Sequence, residues 1–283
     1  MKSLKVGGSP SPYNSPWHLA IENKEFLKEE INIIWKDFYS GSGEIIKALR
    51  NGEIDIAIVA TEVAVKDIIS GNETHIVQNF VESPSSLGIY TNYDSPIKSV
   101  SDLENKKFAI SHTCSSSHLK ALLNANQQGW ELSDLDYEIA DNLKGAEKAL
   151  DEKRADYFLW NKFDVEKYLE EQKLKKIADY EGSWPSFVIV VRNPILKFDY
   201  ADLRKLFSVL NETTSSFKEI PGIENKIATK YNLKVEKVQQ WLNETQWSQT
   251  QICESELDTI QQRLLELRLI SMRIETSCFC YNL

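Results

Sequence analysis

Residues 40–60 read Ser40-Gly41-Ser42-Gly43-Glu44-Ile45-Ile46-Lys47-Ala48-Leu49-Arg50-Asn51-Gly52-Glu53-Ile54-Asp55-Ile56-Ala57-Ile58-Val59-Ala60. Small residues open a helix whose apolar positions Ile45, Ile46 and Leu49 share one face. Asn51-Gly52 closes it, glycine being the usual residue for a left-handed helix end. Ile54–Ala60 then runs almost wholly apolar, the pattern of a strand covered on both faces in a parallel sheet. A helix followed at once by such a strand is the unit of an α/β fold.

The unit repeats outward in both directions. Lys2–Gly7 predicts a strand, Ser15-Pro16 opens a helix with Ser as N-cap and Pro at its first position, and Ile31–Phe38 predicts the next strand. After Ala60 come a helix over 61–70, closely spaced strands over 74–82 and 87–92, and a strand over 107–111. A helix over 115–128 follows, then a strand over 136–141, a helix to Arg154, a strand over 155–160, a helix over 164–172, and strands over 174–180 and 187–192. Helices over 202–217, 223–231, 235–244 and 254–272 end the chain without a sheet of their own. Two α/β runs followed by helices predict two lobes, the last third folding back on the first. Cys278-Phe279-Cys280 reads as a frayed end.

The composition excludes several function classes. The 283 residues are 42% hydrophobic and 27% charged, as in a globular protein, with a net charge of −9. Such an acidic chain repels phosphate backbones and anionic lipid, so neither nucleic-acid nor membrane-surface binding is expected. No apolar run reaches the roughly 18 residues of a membrane span, and direct membrane insertion is not expected. Met1–Gly7 lacks the apolar core of a signal peptide, and four scattered cysteines make no disulfide framework. A cytoplasmic protein with free thiols is the expectation.

In sheets of this kind ligands sit at the carboxyl ends of the strands, where helices begin. Five loops lie there: Ser9–Trp17 with Tyr13 and Asn14; Ser40-Gly41-Ser42-Gly43; Thr61-Glu62; His112–His118 with Ser115, Ser116 and Ser117; and Trp160-Asn161. The two serine-rich loops present hydroxyls and backbone N–H groups at helix N-termini, which favours an anion by about 0.3–1 kcal/mol each. Either loop alone is common capping chemistry; facing each other from two lobes they would hold one ligand between them. No Gly-Lys-Ser/Thr follows, so neither is a nucleotide P-loop. His112, Cys114 and His118 lack a zinc spacing, and as a Cys–His nucleophile pair they have no marked base or oxyanion site. No metal site and no catalytic residue is assigned. Trp160 and Trp184 fall where the cleft should lie.

The run Tyr13-x2-Pro16-x2-Leu19-Ala20, Phe26, Ser40–Gly43 and Ile45-x2-Ala48-Leu49-x2-Gly52-Glu53-Ile54-Asp55-Ile56-Ala57 resembles the type 2 periplasmic-binding-protein superfamily. The branch is that of the aliphatic-sulfonate, nitrate and taurine binders and the thiamine-pyrimidine synthases. Ala60-Thr61-Glu62, Ser111–Ser117, Phe158-Leu159-Trp160 and Ser183–Phe187 resemble a little-characterised sub-branch whose members often lack a secretion signal. The resemblance implies two hinged lobes, residues 1–89 with 188–283 and residues 90–187, with crossings near Gly88–Thr91 and Pro185–Val188. It implies closure on a small ligand by hinge motion. The synthase lysine and histidine fall on Val59 and Val63, and its cysteine cluster on Ser183-Trp184-Pro185-Ser186, which argues against that chemistry and against a cofactor. Asn161 stands where the sub-branch has an acid.

Three functions follow as expectations. The first is a non-catalytic binder of a polar or anionic metabolite, with Tyr13, Asn14, Ser40, Ser42, Gly43, Thr61, Glu62, Ser115, Ser116, Ser117, Trp160, Asn161 and Trp184 at its site. Here Glu62 would accept from an amine or aminopyrimidine, and Tyr13, Trp160 and Trp184 would form flat walls. The second is an enzyme of thiamine-precursor metabolism using His112, Cys114 or His118. The third is a sensor whose closed form engages an unnamed protein partner.

Overall fold

Strand and helix alternate through the first two thirds of the chain because each buried apolar run is followed by an amphipathic one. The computed structural model describes residues 1–113 and 115–283. Its elements are β1 (Lys2–Gly8), α1 (Ser15–Glu22), α2 (Glu25–Lys28), β2 (Ile31–Asp37), α3 (Ser42–Arg50), β3 (Ile56–Ala60), α4 (Thr61–Ile69) and β4 (Thr74–Asn92). They continue with β5 (Phe108–Ile110), α5 (Ser116–Gln127), β6 (Tyr137–Ile139), α6 (Leu143–Asp151), β7 (Tyr157–Asn161), α7 (Lys162–Glu170) and β8 (Leu174–Arg192). The chain ends with α8 (Asn193–Phe198), α9 (Tyr200–Ser216), α10 (Ile223–Tyr231), α11 (Val235–Glu244) and α12 (Glu254–Glu266).

Among the described residues the strands line up as β2-β1-β3-β8-β4-β7-β5-β6. β1 pairs in parallel with β2 and β3, and β5 in parallel with β6 and β7. The two long strands β4 and β8 pair antiparallel at the centre and divide the sheet into two lobes. β1–β3 with α1–α4 and α8–α12 form the first, and β5–β7 with α5–α7 the second. All five residues of β3 are buried, with α3, α4 and α12 over one face and α1, α9, α10 and α11 over the other. This is the α/β, two-lobed architecture that the alternating pattern predicts. Among the described residues no helix is long and apolar enough to cross a membrane.

Three local expectations are corrected. Residues 74–92 form one strand, not two, because β8 accompanies them throughout. The Pro84-containing break between the expected strands becomes an irregular stretch of pairing, with Pro84 opposite Pro185. α12 ends at Glu266 rather than Met272, since Arg268 turns left-handed at φ 56°. The tail is not frayed. Phe279 is fully buried, its carbonyl accepts from Ile76 N–H (2.8 Å), and Ile76 in turn accepts from Tyr281 N–H (2.9 Å).

Candidate functional site

The carboxyl ends of β1, β2, β3, β5, β6 and β7 converge on a cleft of about 420 Å³ between the lobes, a volume suited to a small molecule. Ser9, Ser11, Tyr13 and Ser40–Ser42 line it from the first lobe. From the second come Ser111, Ser115–Ser117, Asn142–Lys144, Trp160, Asn161 and Asp164, and Ser85 and Ser186 lie where β4 and β8 cross.

Local sequence explains why helices start here. β7 runs into α7 without a loop, and Asn161 caps the helix by accepting from Phe163 N–H (3.0 Å). Asn142 caps α6 through Gly145 N–H (3.0 Å), and Ser115 caps α5 through His118 N–H (3.3 Å). α3 starts at Gly41, whose φ of 77° and ψ of −159° are open to glycine alone. The first two N–H groups of α3 (Ser42, Gly43) and of α5 (Ser116, Ser117) donate to no partner among the described residues. Unpaired N–H groups at a helix start, reinforced by the helix dipole, attract anions.

The serine hydroxyls divide by task. Ser42 Oγ accepts from Ala60 N–H (3.1 Å), which keeps its own hydrogen available to donate. Ser115 and Ser117 share a hydrogen bond (2.9 Å), and Ser117 Oγ accepts from Ser111 N–H (3.0 Å), so this pair mainly holds the loop to β5. Ser116 Oγ instead donates across the lobes to Glu62 Oε1 (2.8 Å). Tyr13 packs 5.2 Å from both Phe187 and Trp241. Burial pushes its hydroxyl up, opposed by Trp241 and Asn161 beside it.

Eight of the residues expected at a site line the cleft: Tyr13, Ser40, Ser42, Ser115, Ser116, Ser117, Trp160 and Asn161. Five do not. Asn14 is buried and donates to Ser9 O (2.8 Å), which shapes the loop. Gly43 lies one residue inside α3, behind Ser42. Thr61 is fully buried and donates to Pro185 O. Glu62 and Trp184 sit beneath the cleft, where Trp184 Nε1 donates to Glu62 Oε2 (3.0 Å). Trp184 is therefore not a wall. Both oxygens of Glu62 are thus engaged by protein donors, Oε1 by Ser116 and Oε2 by Trp184, with Lys120 Nζ also 3.4 Å from Oε1.

Lys120, Asn142, Lys144 and Asp164 line the cleft without having been singled out from the sequence. Lys120 and Asp164 stand four residues beyond Ser116 and Trp160, on the same helical face or just past the strand end, which is the signal that would have found them. His112 and His118 do not line the cleft; His118 packs against Tyr137 with ring centroids 5.0 Å apart. Cys114 lies outside the described residues. Val59 and Val63 are buried in the core. No group of three or more His, Cys, Asp or Glu able to hold a metal occurs among the described residues.

Residues 88–180 match the family described as Ca3427-like PBP, that is, periplasmic-binding proteins of that type. No curated protein sequence matches the chain. The solved structure of the Candida albicans CA3427 gene product is similar over 100% of this chain and 98% of its own, with a TM-score of 0.90 at 20% identity. The alkanesulfonate-binding protein SsuA of Xanthomonas axonopodis pv. citri, bound to MOPS, is similar over 100% and 99%, with a TM-score of 0.83 at 16% identity. PhnD1 of Prochlorococcus marinus in complex with methylphosphonate is similar over 95% and 99%, with a TM-score of 0.67 at 14% identity. The chain thus has the type 2 periplasmic-binding-protein fold, and residues 88–180, most of its second lobe, match the Ca3427-like family model.

Proposed function

We propose that the chain is a non-catalytic solute-binding protein that closes its two lobes on a polar, anionic small molecule. The observation that carries this reading is the meeting of the α3 and α5 N-termini, one from each lobe, in a single serine-lined cleft, their first N–H groups donating to no partner among the described residues. An anion lying between them is bonded by both lobes at once, which ties binding to closure. To move a hinge from about 1:99 to 99:1 closed, a ligand must prefer the closed form by about 5.5 kcal/mol. Hydrogen bonds to a charged group contribute about 1.5–3 kcal/mol each, so a few across the cleft are enough. Structural relatives named for alkanesulfonate binding and for a methylphosphonate complex support an anion with a tetrahedral head. A binder is supported over an enzyme of thiamine-precursor metabolism by the valines at 59 and 63, buried where that chemistry needs a lysine and a histidine.

Native mass spectrometry on rapidly purified protein, before and after denaturation, tests the reading. A non-covalent adduct of one small molecule per chain is expected. A panel of alkanesulfonates and alkylphosphonates is then screened by melting temperature, where a ligand at about 100 times its Kd adds about 2.7 kcal/mol. A covalent adduct, or turnover of a bound compound, would overturn the non-catalytic reading. Failure of every anion in the panel to bind would overturn the anionic one.

A further inference from the structure

We propose that Glu62 is an interlobe latch, a carboxylate of the first lobe gripped by the second, which holds the lobes together before any ligand arrives. Glu62 is the second residue of α4, where a carboxylate ordinarily serves its own helix by facing the positive end of the dipole. Its bonds go elsewhere. Oε1 accepts from Ser116 Oγ (2.8 Å) and faces Lys120 Nζ (3.4 Å), both on α5 of the second lobe. Oε2 accepts from Trp184 Nε1 (3.0 Å) on β8, where that strand passes between the lobes. Among the described residues, no partner of this carboxylate belongs to the body of the first lobe.

Burial sets this pair apart. Among the described residues, Glu62–Lys120 is the one ion pair with both side chains less than a tenth exposed, and it spans the two lobes. Lys120 Nζ also donates to Ser85 Oγ (2.9 Å), on β4 at the same crossing. One carboxylate and one ammonium therefore tie together α4, α5, β4 and β8. A buried ion pair is a poor source of net stability, because desolvation offsets the attraction between the charges. What it supplies here is selection of one arrangement. Separating α4 from α5 breaks the Ser116 bond and the Lys120 pair in a single step.

The latch also touches the cleft. Ser116 and Lys120 both line it, so α5 is gripped from beneath while its first turn faces the space between the lobes. The Ser116 hydroxyl has one hydrogen, given to Glu62, and toward the cleft it can only accept. A solute therefore meets lobes already drawn together and adds its own bonds to that arrangement, and its entry and release are paced by the parting of Glu62 from α5. The latch is a property of the ligand-free chain and stands whatever solute the cleft takes.

Double electron–electron resonance tests this on protein dialysed until native mass spectrometry shows the bare chain. Spin labels are carried by p-acetylphenylalanine introduced at Tyr39 and Lys144, exposed positions on opposite lobes at the cleft. The otherwise native chain is expected to show one short separation. Glu62→Gln, and Ser116→Ala to a lesser degree, should add a second population at longer separation. The deciding variant is Glu62→Gln with Lys120→Met, which leaves no buried charge behind. It should melt close to the native protein yet hold at least tenfold more of the separated population, whereas a pair that only filled the interior would be replaced without any change in separation. A native-like separation in the folded double variant, or in Ser116→Ala where the double variant does not fold, would overturn the proposal. So would a native bare chain whose lobes are already spread over long separations.

Discussion

Glu62 belongs to α4 in the first lobe, whereas Ser116 and Lys120, which bond to it, belong to α5 in the second. The side chains of Glu62 and Lys120 are 0% and 4% exposed, so in this arrangement each charge depends on the other. Glu62→Gln leaves the Lys120 ammonium buried with Ser85 Oγ (2.9 Å) as its principal remaining partner. Breaking one half of a buried ion pair costs about 3–5 kcal/mol, because the survivor is a desolvated charge without compensation. At about 2–3 °C per kcal/mol for a chain of this size, the folded protein should melt about 6–15 °C lower. The chain has one way to recover part of this loss, which is to open and let Lys120 reach water. The variant is therefore examined by both thermal unfolding and small-angle X-ray scattering, without ligand. A lower melting temperature, a larger radius of gyration, or both are expected. Glu62→Gln with Lys120→Met should regain most of the loss, because two neutral groups replace the pair. If Glu62→Gln changes neither observable, or the double variant is as impaired as the two single changes added together, the Glu62–Lys120 coupling argued here is wrong.

Two further outcomes follow from other parts of the molecule. Phe279→Ala should cost about 3–5 kcal/mol in denaturant unfolding, as for a fully buried phenylalanine; a frayed tail would lose nothing. His18 is held neutral, its pKa lowered to about 4 by burial first and Lys230 second. The unfolded chain takes up this proton near the usual 6.5 and the folded chain only near 4. Stability contributed by neutral His18 is thus complete above about 6.5 and lost as pH falls toward 4. His18→Gln should flatten that part of a melting-temperature profile, and an unchanged acid slope would contradict the assignment.

Much of the fold was legible because its signals are local. Ile54–Ala60 could belong only to a strand covered on both faces, and the Ser40–Gly43 and Ser115–Ser117 loops announced helix starts at strand ends. What stayed hidden was long-range. Glu62 looked like a ligand acceptor because nothing near it in sequence shows that Trp184, 122 residues away, donates to one of its oxygens. The fate of Phe279 depends on Ile76, more than two hundred residues earlier. Ser83-Pro84-Ser85 read as a break because proline and serine favour turns. β8 supplied a partner strand that local propensity cannot foresee.

The pairing of Pro84 with Pro185 bears on how the molecule moves. Neither residue has an N–H to give to the ladder, and the register shifts on both sides of them. The β4–β8 ribbon is thus least regular for a few residues between the lobes, although its register also shifts between Ile76 and Gln78, Asn79 and Val81, and Ile89 and Tyr90. Mechanically it is a strip of two leaves with a score line across both at the same height. Bending would concentrate along that line if the lobes move, each swinging as a body. Because both leaves are scored together, neither strand would have to slide along the other for the lobes to move, which would keep the register on which the cleft walls depend.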